Sequence, residues 1–129
     1  MKIKLLLSCA LIAALLMVSG SMFAHHGSRV SYSIDKPVTM KGTITAVAWQ
    51  NPHVFISYDV MDGGNVVHWG AEAAENPKML TGRGWTKDTV KPGDQVTITV
   101  FPSKAGTPRG LLSKLSLNDK VLYTAGAIE

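Results

Sequence analysis

The chain has 129 residues, with 13 Lys+Arg against 9 Asp+Glu and a formal net charge of +4. That length allows one domain with a modest core and excludes two. Lys2 and Lys4 lie in an N-terminal leader, and without them 11 basic residues face 9 acidic ones, a balance that calls for neither nucleic acid nor an anionic membrane as partner.

Met1-Lys2-Ile3-Lys4 is a short basic head, Leu5 to Val18 is almost wholly apolar, and Ser19 to Ala24 supplies mostly small residues ending in alanine. This is the layout of a secretory signal peptide, and it predicts cleavage after Ala24 and a periplasmic location. The apolar run is shorter than the roughly 20 residues of a spanning helix, so no stable membrane anchor is expected after cleavage. Cys9, the single cysteine, leaves with the leader. Disulfides and thiolate metal sites are thereby excluded from the mature chain. The expected layout is a signal peptide over 1–24, an N-terminal arm over 25–37, a barrel domain over 38–124 and a tail over 125–129.

In the arm, rich in serine and glycine, Val30, Tyr32 and Ile34 alternate weakly, which suits an extended edge or a mobile segment. Met40 to Trp49 alternates and is dense in β-branched residues, so it predicts the first strand, with Gly42 as a candidate bulge. Asn51-Pro52 breaks the ladder. His53 to Met61 predicts the second strand, with Val54, Ile56, Tyr58 and Val60 on one face and His53, Phe55, Ser57 and Asp59 on the other.

Asp62-Gly63-Gly64-Asn65 has the form of a two-residue hairpin loop. If Asp62 faces Asn65, Asp59 faces His68, Ser57 faces Gly70 and Phe55 faces Glu72. Val67, Trp69 and Ala71 then join the core, and His53 and Glu72 become diagonal neighbours on the other face, with α-carbons roughly 7–8 Å apart. A slip of one residue would destroy the arrangement.

Asn76-Pro77 suits an N-cap and first helical position, and Gly84 a left-handed C-terminal cap. A helix of about two turns is expected between them, burying Met79 and Leu80 with Trp85 packing just beyond. Lys91-Pro92-Gly93-Asp94 is a turn, leading into a strand through Val96, Ile98 and Val100. After a loop from Ser103 to Arg109, Leu111, Ser113, Leu115 and Leu117 give the next alternation, followed by a turn at Asn118-Asp119-Lys120 and a short Val121-Leu122-Tyr123. Three strands, a short helix and two strands predict a mainly β, five-stranded OB-like barrel, with an open antiparallel sandwich as the alternative.

The chain resembles a family of small secreted bacterial proteins catalogued as domain of unknown function 6152. The resemblance runs through His25-His26, Lys41-Gly42-Thr43, Trp49-Gln50-Asn51-Pro52-His53, Asn76-Pro77 with Leu80, Gly84-Trp85 and Lys91-Pro92-Gly93-Asp94-Gln95-Val96. Gly27 and Ala74 depart from it where more polar residues are expected. It implies a periplasmic setting and no particular activity.

Cleavage after Ala24 exposes a free α-amine on His25. An amine and its own imidazole chelate one metal, and further histidines complete a nitrogen site suited to copper(II). The candidate metal ligands are therefore His25, His26 and His53, and copper is the one cofactor implied. The plain alternative is a solvated terminus, and no methionine-rich cluster accompanies the histidines.

A second candidate site is the face formed by Trp49, Asn51, His53, Phe55, His68 and Glu72, where OB barrels often take their ligands. It lacks the basic–aromatic interleaving of a nucleic-acid groove, so a protein or small ligand is the expected partner. Trp69 and Trp85 read as packing residues, leaving Trp49 open to a ligand. A His53–Glu72 pair can serve acid–base chemistry, yet the mature chain has no cysteine, and no serine sits in a G-x-S-x-G setting. The expectation is a non-catalytic periplasmic binding protein that takes copper at its N-terminus. An OB-like adaptor binding on the second and third strands is the alternative.

Overall fold

The structure is a computed structural model, described over residues 30–126. The chain divides into two units, Met1–Val30 and Ser31–Glu129. The predicted leader and the pair His25 and His26 lie outside the described residues. Among the described residues, no helix is long and apolar enough to cross a membrane.

From Tyr32 onward, the described residues form six strands and one helix in order: β1 Val38–Ala48, β2 Phe55–Asp62, β3 Asn65–Glu72, α1 Pro77–Gly82, β4 Gln95–Pro102, β5 Arg109–Leu117 and β6 Lys120–Thr124. The sheet order is β3-β2-β1-β4-β5-β6, and an additional β3–β5 pairing closes the first five strands into a barrel. Only β3–β5 is parallel. Closure in this order, with a helix between the third and fourth strands, is the expected OB-like arrangement. β6 pairs with the later part of β5, along Lys114 to Leu117, once β3 has left it at Leu111.

The core follows the alternation of β2, with Val54, Ile56 and Tyr58 fully buried. Ile98 and Val100 from β4 and Leu112 and Leu115 from β5 meet them inside. On β5 the expected alternation fails, because Ser113 is an extra residue between the pairs Val100–Leu112 and Thr99–Lys114. That bulge puts Leu112 in the core and turns Leu111 to the opposite face, beside its partner Glu72. On β1 the bulge falls at Thr45, between Ile44–Tyr58 and Ala46–Ser57, and not at Gly42. Gly42 instead permits a close approach, since a β-carbon there would lie 2.9 Å from Cδ2 of Tyr58.

The helix is shorter than two turns, and its ends explain its limits. The Asn76 side chain accepts from the Met79 amide at 2.9 Å, and Pro77 occupies the first turn. At the other end Gly84 takes φ +86, with Trp85 N–H donating to Leu80 O and Gly84 N–H to Thr81 O, both at 3.0 Å, the double closure of a Schellman cap. Six residues offer the barrel one inward position, and Leu80 takes it. Met79, expected inside, is 56% exposed. Trp85 packs below the cap and donates from Nε1 to Leu122 O at 2.8 Å. Tyr123 donates to Glu75 at 2.6 Å, and Arg83 pairs with the same carboxylate and lies over the Tyr123 ring. The helix is thereby tied to β6.

Candidate functional site

The β2–β3 hairpin sets the geometry. Gly63 and Gly64 take φ +57 and +89, conformations that suit glycine and close a two-residue turn whose twist matches the strands. The resulting register is Asp62–Asn65, Asp59–His68, Ser57–Gly70 and Phe55–Glu72, as the loop predicts. The outward face therefore presents Phe55, Ser57 and Asp59 from β2 beside Glu72, Gly70 and His68 from β3.

Strand β5 adds to this face from a distant part of the chain. Its parallel pairing with β3 sets Arg109 beside Gly70 and Leu111 beside Glu72. Gly70 has no side chain to occupy the face, and the Phe55 ring fills the space. A β-carbon on Gly70 would lie 2.4 Å from Cζ of that ring. The Arg109 guanidinium lies over the ring, 5.3 Å from its centroid, within the range of a cation–π contact. The tip of the phenyl ring thus meets the Gly70 backbone, and its face meets the guanidinium. Among the described residues Arg109 makes no ion pair.

A cavity of about 310 Å³ opens beside this stack, with Thr45, Ser57, His68, Phe55, Gly70 and Arg109 among its lining together with Tyr58, Trp69 and Pro108. His68 is directed by Asp59, whose carboxylate meets Nδ1 at 2.5 Å. The other ring nitrogen has no protein partner among the described residues. No hydrogen bond joins Ser57 to His68 among the described residues.

Glu72 anchors a second cluster on the same face. Tyr32 donates to its Oε2 at 2.8 Å, and His53 Nε2 lies 3.7 Å from Oε1. The predicted diagonal neighbours therefore meet, but at a separation beyond a direct hydrogen bond. Tyr32 is held there by its bridge to Ser103 and by the bonds Ser33 N–H to Pro102 O at 2.8 Å and Lys104 N–H to Ser31 O at 2.9 Å. Burial first, and then the bond to Glu72, push the Tyr32 phenol up to about 12. It remains a neutral donor. His53 Nδ1 is buried and has no hydrogen-bond partner among the described residues, so the ring does not fix the corner through a backbone carbonyl.

The structure thus divides the predicted site. Phe55 and His68 line the cavity, while His53 and Glu72 join Tyr32. Trp49 packs against the core, and Asn51 is exposed on the corner, so neither enters the cavity. His25 and His26 fall outside the described residues, and among those described no three His, Cys, Asp or Glu side chains are grouped to hold a metal. Sequence reasoning missed Arg109, placed in a loop, and Tyr32, placed in the arm. One signal was present: Gly70, a glycine inside an alternating strand, marks a close approach.

Residues 13–113 match the model of a family of unknown function, DUF6152. No curated protein matches the chain.

Proposed function

The chain belongs to that family, and we propose that it is a non-catalytic binding protein of the periplasm, whose ligand sits on the outer face of β2, β3 and β5. The observation that carries this reading is the stack of Arg109 on Phe55 on Gly70. A mid-strand glycine weakens a strand and leaves its side-chain position empty. Here the gap seats a ring, and the ring seats a cation that no carboxylate engages among the described residues. Stability alone gains little from an exposed arrangement of that kind, whereas a ligand gains a rigid, oriented donor. The face also corresponds to the usual ligand surface of OB barrels, which supports the reading by analogy of fold.

Copper(II) at the N-terminus is the second reading, with the His25 amine and imidazole and His26 as ligands. Its support is in the sequence, where cleavage after Ala24 sets His25 and His26 at the mature N-terminus.

Intact-mass analysis of the exported protein under native conditions tests both. The first reading expects a chain beginning at His25 with a small molecule retained. A single copper, lost in the His25→Ala, His26→Ala double variant, would transfer support to the second. An uncleaved leader would overturn export, and a bare polypeptide mass counts against both readings.

A further inference from the structure

We infer that the ligand of this face is a small organic anion, its carboxylate or phosphate group held by Arg109 with Ser57 and His68. The inference rests on the binding reading above and names the chemistry of that same site. Among the described residues, Arg109 is the only formally charged side chain that lines the cavity, and no carboxylate does. The acidic groups on the same face already have partners, Asp59 on the Nδ1 of the lining His68 and Glu72 on Tyr32.

The stack also fixes how the guanidinium presents itself. Its carbon lies over the Phe55 ring, 5.3 Å from the centroid, and its N–H donors, in no ion pair among the described residues, are free to meet an oxyanion. Bidentate pairing of that kind is what arginine offers and lysine does not. Ser57 and Thr45 add hydroxyls that bond no other side chain among the described residues, and the second nitrogen of the Asp59-directed His68 ring likewise has no protein partner among them. The volume of about 310 Å³ lies at the small end of ligand cavities. It suits a single ring or short acid, not an oligomer.

The test is a set of probes on one scaffold, followed by the amide shifts of Phe55, Ser57, Gly70 and Arg109: benzoate, phenyl phosphate, benzyl alcohol and benzylamine, with inorganic phosphate beside them. The inference expects benzoate or phenyl phosphate to shift these amides in a saturable way. Affinity should fall about tenfold or more in Arg109→Gln and by less in Arg109→Lys, both variants keeping the wild-type melting temperature. Stronger binding of phenyl phosphate and inorganic phosphate than of benzoate assigns the phosphate group, and the reverse order assigns the carboxylate. Binding of benzyl alcohol or benzylamine to these residues, with the anions silent, overturns the anion assignment and leaves the binding face standing. Shifts confined to other surfaces overturn both.

Discussion

The Phe55 ring lies on Gly70 so closely that a β-carbon there would stand 2.4 Å from Cζ and 2.6 Å from Cε1. Real side chains do not pack at such distances, so any substitution at Gly70 moves the ring and the Arg109 guanidinium resting on it. Gly70→Ala should destabilise the protein by about 1–3 kcal/mol, the usual cost of overpacking. Phe55→Ala in the same chain should recover part of that loss, because the two changes share one clash. Urea midpoints of the single and double variants check this; strictly additive losses would contradict the contact.

Tyr58 and Tyr123 make a paired test of buried hydroxyls. The Tyr58 hydroxyl is buried without a partner among the described residues, whereas Tyr123 donates to Glu75 at 2.6 Å. Tyr58→Phe removes an unsatisfied group and should stabilise by about 1 kcal/mol, while Tyr123→Phe should cost about 1–3 kcal/mol because it leaves a carboxyl oxygen of Glu75 without its donor. Thermal unfolding of both variants decides it, and a loss at both positions would show that Tyr58 has a partner.

The same phenols predict the response to alkali. Tyr32 is raised to about 12 by burial and its bond to Glu72, and Tyr58 and Tyr123 are also raised, chiefly by burial. Each group binds its proton more tightly folded than unfolded, where a phenol titrates near 10. Their stabilising contribution is therefore complete below about pH 10 and is lost as pH rises through the folded values. Urea midpoints should hold steady up to about pH 10 and fall beyond it, less steeply in Tyr58→Phe. A midpoint that stays flat well above about pH 10 would contradict the burial of these rings.

Helix α1 depends on its first cap. Asn76→Ala removes the 2.9 Å bond to the Met79 amide and should cost about 1 kcal/mol, whereas Asn76→Asp should cost little. Equal losses in chemical denaturation would mean that the side-chain acceptor is not what holds the helix start.

Where the sequence was legible, the signal was local. Gly63-Gly64 fixes the β2–β3 register, and with it the meeting of His53 and Glu72. Asn76, Pro77 and Gly84 likewise mark both ends of α1. The bulges at Thr45 and Ser113 were not legible, because an extra residue is defined by the strand opposite. Half of the site was hidden for the same reason. Arg109 reaches the face through the parallel β3–β5 closure, and Tyr32 through a single bridge to Ser103. The Arg109 segment carries no sign of its pairing, and the weak alternation around Tyr32 suits an edge without naming the strand it joins. Trp49 looked available because it ends a strand, yet the corner folds it onto the core.

The claim that the face of β2, β3 and β5 is the binding surface is tested most directly by amide shift mapping. The chain from His25 onward is nitrogen-labelled and titrated with the low-molecular-mass fraction of the periplasm. The account predicts that Phe55, Ser57, Gly70 and Arg109 move first and saturate together, and that Arg109→Gln abolishes the response. A titration that moves other surfaces while these amides stand still would contradict it.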